Sequence, residues 1–580
     1  MRLTERLEKV DTAILMQSDS LPCIDAVIIE RFLQEIAENV IKTEEILKVT
    51  ESRRTSKWYN RYAYLYDGLY YIAKMQEFHY AHITGFHFGT EKELWDSYCK
   101  ELYWMDTYYR RLHMDFRKSL FNTLGTLDDL FKSAVVTAEH LYQNWYLSEL
   151  NGSWNSLIKE SVADGFSQNG ILQQDDFYRR VVQPIARESR VFVIISDALR
   201  YEVATELTEK LLRETNGTAK QSAMQSVFPS ITKFGMAALL PHKALTITDS
   251  MKMFCDEMPT DGTENRDKIL KKTNPKNCAV TYETLLTMKQ AQRRELVSGA
   301  DVVYIYHNTI DAIGDKAPTE QKVFEACTDA LEELAGLVRV IVNDMQGTDI
   351  LITADHGFLY TYRPLTEGDK VGREVMTGTI YEIGRRYALT SLEAQAEHLL
   401  PVQRTGVLEG FPLNGYTPRD ATRIKVSGGG ENYVHGGVSL QEMVVPVIAF
   451  KNLRSKSKQY VEVKNAGLKL LSESRKITNL LFSLDFLQEQ PVGDKIQPCT
   501  YTIYMTDGGG VVVSDRQTVI ADRTSANASE RVFRVRFNLK AGTYDRKQEY
   551  RLVIANGTDV PEEVGFQIDV AFADDFGFDL

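Results

Sequence analysis

The chain has 580 residues, of which 43% are hydrophobic and 26% charged, with a formal net charge of -12. That length calls for two to four domains of roughly 100 to 200 residues each, and that composition excludes a disordered chain. The acidic balance argues against broad electrostatic attraction to nucleic acid, although a local basic groove is compatible with it, and so are carboxylate-rich sites for divalent cations.

Six cysteines are scattered without a C-x-x-C pair, which argues against a disulfide framework and against a cysteine zinc knuckle. The N-terminal stretch MRLTERLEKVDTAILMQSDS lacks the apolar core of a secretory signal, and no run of about 18 apolar residues occurs. The expectation is a cytoplasmic protein that neither leaves the cell nor spans a membrane.

Residues 1–185 read as helical. SLPCIDAVIIERFLQEIAENVIKTEEIL and ELWDSYCKELYWMDTYYRRLHMDF place apolar residues at spacings of three and four. The tyrosine-rich piece from Trp58 to Tyr80 reads as core, with an interaction surface as the alternative. His79, His82 and His87 lie close enough in sequence to suggest a metal, but no nearby carboxylate completes a set, and a structural role is the preferred reading.

From Ser189 the texture becomes α/β. The runs RVFVIIS, DVVYIY, DILITA and MVVPVIAF predict strands buried on both faces of a largely parallel sheet. Gln321–Met345 predicts a covering helix, with Val323, Cys327, Leu331, Leu334 and Val338 on one stripe. Lys451–Lys458 (KNLRSKSK) looks like a linker. Beyond it, short segments of alternating polarity separated by Gly, Asp and Asn predict an antiparallel β-sandwich. The predicted parts are a helical region (1–185), an α/β domain (186–455) and a β-sandwich (456–580).

Ligands of open parallel sheets bind beyond the carboxyl ends of the strands, which directs attention to the polar residues following each apolar run. These are Asp197, the pair His307 and Asp311, the pair Asp355 and His356, and His435 just before the last run. Asp355-His356 offers mixed oxygen and nitrogen donors suited to zinc or manganese, although such a dipeptide is often merely structural. In FPSITKFGMAALLP, Thr232 is expected at a helix start, where backbone N–H groups favour an anion; a plain N-cap role for Ser230 or Thr232 is the alternative. Arg200 and Lys233 are candidates for contact with phosphate oxygens, with ion pairing as the competing role. His307 reads as structural, and SGGGENYVHGG, which lacks the P-loop lysine, reads as a loop delivering His435.

The order Asp, hydroxyl, Asp, Asp-His, His resembles the alkaline phosphatase superfamily. More closely, VFVIISDALRYEVATEL, FPSITKFGMAALLP, YHNTIDAIGDK, LITADHGF and VHGGVSLQEMVVPV resemble the PglZ family of BREX and phage growth limitation defence systems, over about Arg190 to Phe450. The resemblance implies an alkaline phosphatase-like α/β core holding two divalent metal ions, with zinc first and manganese or magnesium as alternatives. It assigns Asp197, Thr232, Asp355 and His356 to one ion and Asp311, Asp315 and His435 to the other, with Asp355 and His356 not strictly confined to one ion. Many superfamily members carry a histidine where this chain has Asp315, which makes that position harder and richer in oxygen. The implied reaction is in-line attack by Thr232 on phosphorus, making the chain a metal-dependent phosphodiesterase or phosphatase, with nucleic acid as one substrate class. The alternative is a scaffold or regulatory subunit with a weak or inactive hydrolase site. Implied partners are other BREX or Pgl defence proteins, including a DNA methyltransferase. Members of the family are often longer at the N-terminus, which leaves open that this chain is a shortened form.

Overall fold

The computed structural model describes residues 2–122, 124–163, 170–403, 408–428, 430–453, 462–557 and 562–570. Two compact units emerge: residues 1–211 with 217–453, and residues 212–216 with 454–580. The linker expected at Lys451–Lys458 lies outside the described residues from position 454 onward.

The larger unit is organised by a seven-stranded sheet: β1 (Leu172–Gln173), β2 (Val191–Ser196), β3 (Thr218–Gln225), β4 (Cys278–Thr281), β5 (Val302–His307), β6 (Asp349–Thr353) and β7 (Val444–Lys451). Their order is β1-β3-β7-β6-β2-β5-β4. β6, β2, β5 and β4 run parallel, and β7 is antiparallel to both β6 and β3. Every residue of β2 and β5 is buried, as their unbroken apolar runs require for strands covered on both faces. The helix Val323–Asp344 buries Val323, Cys327, Leu331, Leu334 and Val338, the stripe read from its 3.6-residue period. β3 escaped the sequence reading because TAKQSAMQ is polar along most of its length.

Helices cover much of the N-terminal region, among them Pro22–Ala37, Tyr59–Ala81, Trp104–Ser119 and Ser148–Ala163. Their apolar residues join those of the sheet in one continuous core. In the tyrosine-rich helix, Tyr62, Tyr64 and Tyr66 are buried, while Tyr70 and Tyr80 are exposed. The aromatic row is therefore mainly core. Helix Trp104–Ser119 also buries Asp106, Arg110, His113 and Asp115, charged positions that periodicity alone assigns to solvent.

The smaller unit has a three-stranded antiparallel sheet and a five-stranded, mostly antiparallel sheet, whose buried residues form a separate core. Its strands include Leu481–Gln488, Cys499–Thr506, Val532–Asn538, Tyr550–Ala555 and Glu562–Ile568.

Candidate metal centre

Where β2 ends, the Asp197 N–H donates to the His307 carbonyl at 2.8 Å, and Ala198 takes a positive φ of 61°. This tight turn aims the Asp197 carboxylate at the end of β6. There Asp355 Oδ1 accepts from the Ala198 N–H at 3.1 Å and from the His356 N–H at 3.0 Å. One Asp355 oxygen thus ties the two turns together. The other, Oδ2, has no hydrogen-bond partner although it is buried, and the same holds for Asp197 Oδ1. A buried carboxylate oxygen without a donor is costly unless a cation satisfies it.

Thr232 opens the helix Thr232–Ala238. The N-cap is Ile231, which makes no side-chain cap, and the Ser230 hydroxyl donates instead to the Gly437 carbonyl at 2.8 Å. Neither hydroxyl is a plain cap. Gly235 lets this helix approach the Asp355 backbone, since a Cβ at that position would collide with the Asp355 carbonyl.

Both histidines present Nε2 to the same space. His356 Nδ1 donates to the Gly357 carbonyl at 2.9 Å, and His435 Nδ1 donates to the Ser230 carbonyl at 3.4 Å. With the ring neutral, this leaves each Nε2 with the lone pair needed in a metal ligand. The two rings stack with centroids 4.1 Å apart and planes within 5°. His356 Nε2 accepts from the Thr232 hydroxyl at 3.1 Å and lies 3.5 Å from both Asp197 Oδ1 and Asp355 Oδ2. His435 Nε2 is 3.9 Å from Asp311 Oδ1, which also accepts from the Tyr433 hydroxyl at 2.9 Å.

Two groups of potential ligand atoms result among the described residues, each with its atoms within 4.8 Å of one another: Asp197, Asp355 and His356, and Asp311, His356 and His435. His356 belongs to both, a sharing that sequence order does not reveal. Asp315 stands outside these triads but lines the adjoining cavity. His79, His82 and His87 belong to neither; His79 packs on Trp145 and His82 on Phe78. The unpartnered carboxylate oxygens and the two imidazole Nε2 atoms beside them fit divalent cations.

The electrostatics show the same crowding. Burial, then the charges of Asp355 and Asp311, hold the Asp197 carboxyl well above the usual carboxylate range. Burial and Asp311 also raise Asp315. Withdrawal from water and then the neighbouring His356 push His435 down to about 4, so it is neutral at physiological pH.

A cavity of about 420 Å³ opens over Thr232, with Asp311, Asp315, Arg385, Tyr387 and His435 in its walls. Arg385 and Tyr387 come from the segment between His356 and His435, whose strands include Ile380–Ile383, Ala388–Thr390 and Asn414–Pro418. Sequence reading drew no site residue from this segment. Lys233 also lines the cavity, but its ammonium pairs with Glu382 and donates to the Met251 carbonyl at 3.3 Å.

Arg200, a candidate for phosphate contact with ion pairing as the competing role, takes the latter: it is only 1% exposed and paired with Asp106 at 2.8 Å. It lies in the turn between β2 and the helix Tyr201–Glu214, outside the cavity lining, and faces Asp106 on the N-terminal helix Trp104–Ser119. His307 is buried and satisfied, with Ser196 at 2.9 Å and Glu333 at 2.8 Å, in keeping with a structural histidine.

Residues 177–450 match the family described as the BREX system PglZ alkaline phosphatase-like domain. The whole chain is 35% identical to an "Alkaline phosphatase-like protein PglZ" from Bacillus cereus (strain H3081.97), spanning 67% of that protein. It is 34% identical to an "Alkaline phosphatase-like protein BrxZ" from Escherichia coli O9:H4 (strain HS), over 94% of this chain and 64% of that one. The chain thus spans about two thirds of the length of these relatives. Among solved structures, murine ectonucleotide pyrophosphatase/phosphodiesterase 5 aligns with 46% of this chain and 88% of its own, at 12% identity and a TM-score of 0.32. With its matching domain and its 35% identity to the Bacillus cereus relative over the whole of this chain, the chain belongs to the PglZ family of alkaline phosphatase-like proteins.

Proposed function

We propose that this chain hydrolyses phosphoric esters with two divalent cations and Thr232 as nucleophile. The observation that carries this reading is the convergence of the Thr232 hydroxyl, His356 Nε2 and the unpartnered oxygens of Asp197 and Asp355 beside an open cavity. Asp197, Thr232, Asp355 and His356 are assigned to one ion and Asp311, Asp315 and His435 to the other, with His356 within reach of both. Zinc is the first choice, and four carboxylates among these residues make manganese or magnesium acceptable.

Two bound dications would supply Lewis-acid charge that lowers the hydroxyl pKa and offsets charge on the leaving oxygen. Thr232 presents its oxygen to the phosphorus of the ester. The hydroxyl gives its proton to solvent as a P–O bond forms to the threonine oxygen and the bond to the alcohol oxygen breaks, and the alcohol departs with a proton from solvent. Water then cleaves the phosphothreonine and restores the hydroxyl.

The same proposal places the chain in a BREX-type anti-phage defence system, which the family and the names of its relatives support; a DNA methyltransferase among its partners and nucleic acid among its candidate substrates belong to the proposal alone. Six free thiols suit a cytoplasmic setting. The smaller unit is read as a β-sandwich (456–580) following a helical region (1–185) and a catalytic domain (186–455).

The deciding experiment is hydrolysis of a chromogenic phosphodiester and its matching monoester with added zinc, manganese or magnesium, comparing the native chain with Thr232→Ala. Metal-dependent turnover that disappears in the variant supports the reading. Metal binding without turnover of either ester favours the scaffold role, and full activity in the variant refutes the nucleophile.

A further inference from the structure

Asp106, on the N-terminal helix Trp104–Ser119, is completely buried and gathers an unusual number of donors for one carboxylate. Its Oδ1 accepts from the Tyr142 hydroxyl at 2.6 Å and pairs with Arg200 at 2.8 Å. Its Oδ2 accepts from the hydroxyls of Tyr98 at 2.9 Å and Tyr146 at 3.1 Å, and the Gln441 amide reaches both oxygens at 3.5 Å. Arg200 and Gln441 lead from this carboxylate to the turns that carry the candidate metal ligands.

Arg200 lies three residues beyond Asp197 in the turn that follows β2. Its guanidinium sits 5.1 Å from the centre of the Phe358 ring, two residues beyond His356. One side chain therefore joins the two ligand turns, and Asp106 neutralises it. Phe358 in turn packs on Tyr433 with ring centroids 4.7 Å apart, and Tyr433 donates to Asp311. Gln441 provides the second link: its carbonyl lies so close to Gly357 that a Cβ there would collide with it, and the Gly357 N–H donates to the Glu442 carbonyl at 2.9 Å. The Gly357 carbonyl is the acceptor that fixes the His356 ring.

We propose that Asp106 is a positioning residue for the metal centre: by clamping Arg200 and Gln441, it holds the Asp197 turn and the Asp355–His356 turn in mutual register. The N-terminal helices are then part of the scaffold that sets ligand geometry. Outer partners of metal ligands tune affinity by about 10- to 100-fold, and this clamp acts at the same range through the turns. The inference rests on the two-ion reading above.

Removing Asp106 alone would strand a buried guanidinium, so the test removes both charges with Asp106→Asn/Arg200→Gln; Glu202 keeps Arg110 as its partner at 3.0 Å. The full chain is stripped with chelator and titrated with Co²⁺, read by calorimetry and by the visible absorption that reports coordination geometry. The control is Glu206→Gln, which loosens Arg110 and Arg111 in the same helical junction but reaches Arg200 only through Arg110 and then Glu202, 3.8 Å from the guanidinium. The expected result is a folded double variant with native circular dichroism, about tenfold weaker Co²⁺ binding and an altered spectrum, while the control keeps the native spectrum. A folded double variant with native affinity and spectrum overturns the inference and leaves the metal centre standing. A native chain that takes up no Co²⁺ overturns both. If the double variant fails to fold, Arg200→Lys keeps the charge on Asp106, loses the planar contact with Phe358, and decides the matter by the same two readouts.

Discussion

The Thr232 hydroxyl donates to His356 Nε2 at 3.1 Å, and that nitrogen lies equally far, 3.5 Å, from the unpartnered oxygens of Asp197 and Asp355. One imidazole thereby touches the proposed nucleophile and both carboxylates of one cluster. A covalent intermediate on Thr232 should then be trappable. Acid quenching during turnover of a ³²P-labelled ester is expected to leave label on the native chain, mapped to Thr232 by mass spectrometry. Thr232→Ala should carry no label and lose about 10³-fold or more in turnover. Label on another residue would reassign the nucleophile.

Asp197 Oδ1 and Asp355 Oδ2, buried beside one another without hydrogen-bond donors, destabilise the metal-free chain. Adding Zn²⁺ or Mn²⁺ should raise Tm, by an amount equivalent to about 2.7 kcal/mol at a hundredfold excess over Kd. Asp197→Asn relieves the repulsion, so it is expected to melt higher than the native chain in chelator yet gain less from added metal. Differential scanning fluorimetry in the two conditions reads both effects. Equal responses of variant and native chain would remove Asp197 from the ligand set.

The superfamily resemblance sets a histidine at the position of Asp315. Asp315→His exchanges an oxygen donor for a nitrogen donor and should shift metal uptake from manganese towards zinc, measured as the ratio bound from an equimolar mixture. An unchanged ratio would exclude Asp315 as a ligand.

Asp115, on the same helix as Asp106, has its carboxyl raised to about 6, chiefly by burial and despite Lys118 at 2.6 Å. A carboxyl raised in the folded state favours folding while protonated. Its contribution is therefore complete below the unfolded pKa of about 3.9 and is lost as pH rises through about 6. Asp115→Asn should add up to about 3 kcal/mol of stability at pH 7.5 and almost nothing at pH 4. Denaturant melts at the two pH values check the sign; a variant that gains more at pH 4 would contradict it.

Much of the α/β architecture was legible because its signals are local. VFVIIS, VVYIYH and DILIT are too uniformly apolar to face water, so they become the central strands, and Asp197 and Asp355 must emerge at their ends. The stripe of Val323, Cys327, Leu331, Leu334 and Val338 needs only its own period to define a buried helix face. β3 was invisible because its residues are polar and its place comes from pairing with β7 across a long stretch of chain.

The sequence by itself determined the family, the sheet-forming runs and the candidate residues at their ends, because hydrophobic periodicity and motif order are properties of neighbours along the chain. Only the tertiary structure decided that His356 faces both ligand groups, that Arg385 and Tyr387 wall the cavity, and that Arg200 turns inward to Asp106. Three residues beyond Asp197, an arginine can project towards the cavity or into the protein with equal local propriety. Its direction follows from which distant helix packs against that turn and leaves a buried carboxylate there to receive it.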